Sequence, residues 1–441
     1  MKPASPAKVV KTAGDALRSF CVNELGMSFF DVQMTVPVQV LCRFSCDHSL
    51  IHMTQSAVLN SSRRPERYDL AVVGAGILGL ATALAAARRG LRVLVIDRDA
   101  QANGASVRNF GFVTVTGQEQ GQMWRRACRS RAVWQEVAAA ADIPVTQRGM
   151  WMMIRRSESL RVLDAFLRTD MAEHCHILSA AEARRRCPEL RAPQLEAVLE
   201  STVELRIESR TAIPRLTAWL ADVGGVTFMW NTRVLDIDVP AVRTSWGTVQ
   251  ADRVAVCPGD DFNGLFAERL AGFALTRCRL QMLRLASPGF TLPAALMSDL
   301  SLTRYLGYAA LEAAGPLKVR LLAEQPEYIE QGIHLIVVQS ADGTLIVGDS
   351  HHYAPTPEPF GSAAVDALIL EEFRAALGLE PPPVLECWTG TYASAANPGV
   401  LFDTPQPHVA LAIVTCGAGA STGFAIGEEV VANLFDSGAC P

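Results

Sequence analysis

Asp69-Leu-Ala-Val-Val-Gly74-Ala-Gly76-Ile-Leu-Gly79 opens the stretch whose reading decides the fold. Asp69–Val73 is short and mostly apolar, as a strand buried on both faces of a parallel sheet is. Leu80–Arg89 is alanine-rich and helical, and Gly90 stands where helices end in a left-handed residue. Leu91–Ile96 is a second apolar strand, closed by Asp97. Together they form a βαβ half-unit. Gly74 permits the tight turn, Gly76 lets a pyrophosphate approach the backbone, and Gly79 lets helix and strand pack closely. The helix N-terminus offers unpaired N–H groups and a positive dipole end to phosphates. Asp97 follows Gly79 by 18 residues, near the spacing at which an acid receives ribose hydroxyls. Strand, glycines, helix and acid together predict dinucleotide binding, without separating FAD from NAD.

The chain has 441 residues, with 40 Lys+Arg against 45 Asp+Glu. No basic cluster dominates, which disfavours a nucleic-acid binder. Lysine is scarce: Lys2, Lys8, Lys11 and Lys318 are all there are. A Schiff-base enzyme needs a lysine amine, so beyond residue 67 any such chemistry rests on Lys318. Hydrophobic residues make up 49%, which suits a large α/β core, and the length allows two or three domains. No apolar run reaches the ~18 residues of a membrane helix. The eleven cysteines are scattered, with no CxxC and no zinc spacing, so reduced thiols and no metal site are expected. These features together suggest a cytoplasmic protein without a membrane span.

Residues 1–66 hold three of the four lysines and show no sustained periodicity. They read as a poorly ordered N-terminal extension, with Met53 as an alternative start and no secretory signal. Downstream, Ile213–Leu220 reads as helix, while Val226–Met229, Arg233–Ile237 and Arg253–Val256 read as strands. Trp151-Met-Met153 reads as a core strand. Strand-like runs dominate from 271 to 352, Leu317–Leu322 among them. Asp342-Gly343 between His334–Val338 and Thr344–Val347 signals a hairpin. Pro381-Pro-Pro383 marks a linker; then Val409–Val414 is a strand, Gly417 and Gly419 a loop, and Gly423–Leu434 a helix.

Two further segments carry a resemblance. They are Gly104-Ala-Ser106-Val-Arg108-Asn109-Phe-Gly111 and Thr415-Cys-Gly417-Ala-Gly419-Ala-Ser421-Thr422-Gly423-Phe424. Both resemble motifs of the D-amino-acid oxidase superfamily. With Glu208–Pro214, Arg233–Ile237 and Ala255–Gly259, the chain is similar over residues 67–441 to glycine and sarcosine oxidases. It most resembles the branch associated with aminophosphonate breakdown, which shows runs like Asp342-Gly-Thr-Leu-Ile-Val-Gly-Asp349-Ser-His351. The resemblance implies FAD as cofactor. Ser106, Arg108, Asn109 and Gly111 would then lie by the pyrophosphate and flavin, Val234 by adenine, and Gly259 under the ribityl chain. Gly419, Ser421, Thr422 and Gly423 would face the pyrimidine, where a helix dipole stabilises the anionic reduced flavin. The fold implied is α/β. A doubly wound, Rossmann-type FAD domain is built from 67–145, 196–270 and 384–441, with a mostly antiparallel α+β substrate domain from 146–195 and 271–383. The implied reaction oxidises a C–N bond of a small amine: the α-hydride passes to flavin N5, the imine hydrolyses, and oxygen or another acceptor reoxidises the flavin. The protein binds, orients and excludes water, so no dedicated acid–base residue is expected.

Substrate anchoring departs from the pattern. Where glycine oxidases carry an arginine that clamps the substrate carboxylate, this chain has Trp388-Thr-Gly390-Thr-Tyr392-Ala. Tyr392 cannot form a bidentate charged pair, which leaves room for a larger anion such as the phosphonate of 2-aminoethylphosphonate or its N-methyl derivative. Anchors are then Tyr392, His351 and Arg304, with Tyr305, His352, Tyr353 and Arg108 as further candidates. Plain alternatives are a solvent-facing strand flank for Arg304-Tyr305, a turn cap for His351 and a loop brace for Arg108. Two other functions stay open: a glycine- or sarcosine-type amino-acid oxidase, and a flavin-binding redox module without turnover. In sarcosine-oxidase relatives a lysine near the flavin assists oxygen. Here only Lys318 could take that part, and the strand alternation points it to solvent.

Overall fold

The computed structural model describes residues 67–436. The expected extension over 1–66, with Met53, lies outside the described residues. Leu70–Val73 and Val93–Ile96 pair in parallel, Leu70 opposite Val93. Nearly every side chain of both is buried, which explains their unbroken apolar runs. They lie within a six-stranded sheet in the order Val400–Gln406, Val409–Val414, Val254–Val256, Leu70–Val73, Val93–Ile96, Thr227–Met229. Only Val400–Gln406 runs antiparallel. The helices Ile77–Ala87 and Gly419–Phe435 pack on each other, and Gly427 makes the close approach possible. Arg67–Tyr68, Gly247–Ala251, Ala241–Thr244 and Val234–Asp238 form, in that order, a separate four-stranded sheet.

The second large sheet has ten strands, eight along its main path and two paired beside it. All its pairs are antiparallel except Ala295–Ser298 with Val145–Ile154. Its pairing does not follow the expected divisions at residues 196 and 384. Ala197–Ile207 pairs with Val145–Ile154, and Val384–Ser394 runs along Thr276–Leu285 from Ser394↔Thr276 to Val384↔Leu285. Each gives the sheet backbone partners that its edges would otherwise lack. Trp151, Met152 and Met153 are fully buried in this core, as expected. The expected hairpin is present, with Ile336–Gln339 against Leu345–Gly348. Its loop has three residues, closed by the Ser340–Thr344 backbone bond, with Gly343 at φ +81°.

The strand expected over Leu317–Leu322 is a helix, Ala314–Glu324, and it belongs to a helical stretch between 299 and 330. Leu317, Val319 and Leu321 alternate as a strand's would. The structure buries Leu317 and Leu321, four apart on one helix face, and leaves Val319 69% exposed. A buried ionic cluster ties this stretch to the sheet. Asp299 accepts from Arg156 Nη1 (2.8 Å) and Ser159 Oγ (3.0 Å), and Arg155 donates to Glu372. Among the described residues no helix is long and apolar enough to cross a membrane.

Candidate active site

A cavity of about 550 Å³ joins the glycine turns to the wall of the second sheet, a size common for cofactor and substrate sites. Gly74, Gly76, Gly79, Asp97, Ser106, Arg108 and Asn109 line it, as do Val234, Gly259, Gly419 and Ser421. A Cβ on Gly74 would strike the Cys257 carbonyl, and one on Gly79 the carbonyl of Gly74. These positions therefore accept glycine alone. At Gly76 a Cβ would stand 3.1 Å from Ser106 Oγ, inside the space where the loop meets the helix. Ser106 Oγ accepts from the Ile77 N–H at 2.9 Å. Neither Ile77–Ala87 nor Gly419–Phe435 is capped by its own N-cap side chain; beyond the Ile77 N–H held by Ser106, both first turns keep backbone donors for a ligand. Asp97 takes the Ala75 N–H (2.6 Å) and the Asp99 N–H (2.9 Å). That orients its carboxylate at the end of the second strand. A glycine cradle with two helix ends that keep free first-turn donors fits a dinucleotide.

The 104–111 loop is braced from within. Asn109 donates to the Ala105 carbonyl (2.7 Å) and accepts from the Gly111 N–H (2.6 Å). Arg108 donates to Asn103 Oδ1 (3.3 Å), and its carbonyl accepts from Trp388 (3.1 Å), so it holds the loop as a brace does. Ser421 Oγ accepts from the Thr114 N–H at 2.9 Å, tying the closing helix to the neighbouring strand. Three expected residues do not reach the cavity wall. Gly111, at φ +67°, packs against the Ile207 carbonyl. Thr422 is buried and bonds to the Ala418 carbonyl (2.8 Å), and Gly423 packs on Ile77. Their small or self-satisfied side chains serve packing beneath the site.

At the other end of the cavity Arg304, Tyr305, His351, Tyr353 and Tyr392 share one wall. Arg304 comes from the end of a short 3-10 segment rather than a strand flank. Its Nη2 donates to the Tyr353 hydroxyl at 2.9 Å. Burial opposes the Arg304 charge, but Tyr353, Tyr392 and Asp349 outweigh it and its pKa rises. His351 Nδ1 donates to the Gly332 carbonyl at 2.9 Å; it does not cap the hairpin turn. His352 is not on the cavity wall, because strand alternation turns it away from His351. Lys318 is exposed on its helix and is not on that wall either. Cys416 lines the cavity with its thiol pushed up to about 11 by burial, and so stays protonated at neutral pH.

Two residues of this wall were not expected. Asp349 is 4% exposed and His334 4% exposed. Burial pushes the Asp349 carboxyl up to about 7, against the pull of Arg304. Burial, then Arg304, holds the His334 and His351 imidazoles well below the usual histidine range. His334 Nε2 stands 3.3 Å and His351 Nε2 3.8 Å from the Asp349 carboxylate oxygens. The signal was present in the hairpin. The register Ile336↔Gly348, carried two residues further, sets His334 opposite Ser350, between Asp349 and His351.

The chain matches the family described as DAO, FAD dependent oxidoreductase, over residues 69–433. Among solved structures it is similar to glycine oxidase from Bacillus cereus, at 16% identity and TM-score 0.67, covering 83% of this chain and 94% of that one. It is similar to L-proline dehydrogenase from P. horikoshii, at 17% identity and TM-score 0.68, covering 85% and 94%. Iminodiacetate oxidase from Chelativorans sp. matches at 17% identity and TM-score 0.63, covering 82% and 95%. No curated protein matches the chain.

Proposed function

We propose, on the premise that this chain belongs to the family of FAD dependent oxidoreductases, that it oxidises the C–N bond of a small amine carrying an anionic group. The substrates of first choice are 2-aminoethylphosphonate and its N-methyl derivative. The observation that carries this reading is the anchoring wall. Arg304 and the Tyr353 hydroxyl, 2.9 Å apart, share the cavity with Tyr392. A guanidinium with two phenols offers several donors around one anion. FAD would be held by the glycine turn at 74–79, Asp97, Ser106, Val234, Gly259 and the helix end at Gly419–Ser421. Bound there, FAD supplies the two-electron acceptor for the substrate. The chain's own residues do the rest: Arg304 and the phenols hold the anion, and the aromatic wall limits water. In this reading the segments 67–145, 196–270 and 384–441 carry the cofactor and the remainder carries the substrate, with Ala197–Ile207 and Val384–Ser394 completing the second sheet.

A glycine- or sarcosine-type amino-acid oxidase is the second reading. It is favoured by the fold likeness to glycine oxidase, and a carboxylate could also use Arg304. Membership of an oxidoreductase family argues against a flavin module without turnover. The test is anaerobic flavin bleaching by a panel of amines. Bleaching by 2-aminoethylphosphonate or its N-methyl form, and not by glycine or sarcosine, is expected. The reverse selectivity would replace this reading with the second. No described lysine lies on the cavity wall; at its substrate end Arg304 offers a cation for oxygen to meet during reoxidation.

A further inference from the structure

We propose that Asp349, set between His334 and His351, is the proton acceptor that receives the substrate's ammonium group and takes its proton before oxidation. This rests on the reading of the site as an amine-oxidising one, and it reverses the sequence expectation that no acid–base residue is needed. Four rings stand in a row along the wall. Tyr305 meets His334 edge-on (5.5 Å), His334 stacks on His351 (5.0 Å, 25°), and His351 meets Tyr392 edge-on (6.5 Å). Such contacts fix ring positions, and they fix the two Nε2 atoms against the Asp349 carboxylate. The Gly332 carbonyl, 2.9 Å from His351 Nδ1, assigns the ring proton to Nδ1. His351 Nε2 then presents a lone pair to a carboxylate oxygen. His351 Nε2 and Asp349 Oδ2 are then two acceptors 3.8 Å apart, and Asp349 Oδ1 is buried without a hydrogen-bond partner, so the pair can take a donor between them. An ammonium on the cavity side provides N–H donors to both.

The step balances as acid and base. One N–H bond of the ammonium breaks, its proton goes to an Asp349 oxygen, and the nitrogen keeps the lone pair. The neutral amine that results is the form that can give up a hydride. The groups facing Asp349 are His334, His351, Arg304, Tyr305 and Cys278; of these only Arg304 is charged near neutrality. The three ligand-type atoms lie within 4.8 Å of one another, yet a divalent ion would add charge where Arg304 already balances the carboxylate.

The experiment compares 2-aminoethylphosphonate with propylphosphonate, which has a methyl group in place of the ammonium. Binding to the FAD-loaded enzyme is read from the perturbed flavin spectrum, and bleaching is timed without oxygen. Each phosphonate's own titration, measured on the free ligand, is divided out, so the corrected ratio isolates the ammonium site. In the wild type that ratio should fall about tenfold for each pH unit below the Asp349 titration. Asp349→Asn should flatten the ratio, leave propylphosphonate binding within about twofold, and slow bleaching by about 100-fold. An infrared carboxylic band that titrates near neutrality in the wild type, and is absent from the variant, supplies a readout that needs no substrate. Equal loss of both ligands, unchanged bleaching, no such band, or stoichiometric bound metal would overturn the proposal. If the wild type binds neither phosphonate, the substrate reading fails on its own. Glycine against acetate then puts the same question to Asp349.

Discussion

Gly427 lies where the helices Ile77–Ala87 and Gly419–Phe435 cross, and Gly427→Ala sets two forces against each other. Helix propensity alone favours alanine by about 1 kcal/mol. The crossing opposes it. A Cβ at 427 would stand 2.6 Å from Ala81 C and Thr82 N and 2.9 Å from Ala81 O. Carbon contacts settle near 3.5 Å, so the helices must part by roughly 0.9 Å. All three neighbours are backbone atoms, and no rotamer change can relieve them. Inserting a methyl into a packed interior costs about 1–3 kcal/mol, and a gap of that width also forfeits a quarter to a half of each facing contact. We expect a net loss of about 2 kcal/mol. At roughly 2.1 cal/mol/K per residue, the unfolding entropy of a chain of this length is about 0.9 kcal/mol/K, so Tm should fall by about 2 °C. Both helices present their first turns to the cavity, so FAD affinity should also drop about tenfold, which corresponds to about 1.4 kcal/mol. Thermal denaturation of the apo form and FAD titration by fluorescence measure the two. A Tm equal to or above the wild type, with FAD affinity unchanged, would refute the argument that the crossing outweighs propensity.

Glu372→Gln removes the buried charge paired with Arg155, both side chains under a tenth exposed. An uncompensated guanidinium should cost about 3–5 kcal/mol. A urea midpoint shift worth less than about 1 kcal/mol would show that Asp299, 3.7 Å from Arg155, compensates alone. Asp349 makes a pH prediction for the apo form. Its carboxyl sits near 7 in the folded state against an ordinary 3.8, so between those values the folded chain holds a proton that the unfolded chain has lost. Stability should decline as pH rises through that window, by about 4 kcal/mol at most. Asp349→Asn lacks this decline. Its urea midpoint relative to wild type should rise between about pH 5 and pH 8, and a difference constant with pH would contradict the assignment.

The cofactor end of the site was legible because its constraints are local. Gly74 and Gly79 are fixed by carbonyls within the same βαβ unit or its adjoining strand. Ser106 caps Ile77 from a loop that follows the second strand. The substrate end was legible only in part. Arg304, His351 and Tyr392 each stand out in the sequence, but in three unconnected segments, and their meeting depends on pairing between distant strands. Leu317–Leu322 shows how a local pattern misleads. Its alternation fits a strand, and burial of Leu317 and Leu321 on one helix face decided otherwise.

The sequence alone determined the βαβ start and its glycine turn, because close backbone approach demands glycine at Gly74 and Gly79; it also marked the glycine-rich run into the last helix, which begins at Gly419 rather than at the expected Gly423. Tertiary structure decided what Asp349 is. A three-residue loop sets the register that brings His334 beside it, and burial in the second sheet turns an ordinary carboxylate into one that titrates near neutrality. Neither effect is local: register follows from how two strands close on each other, and desolvation follows from everything packed around them.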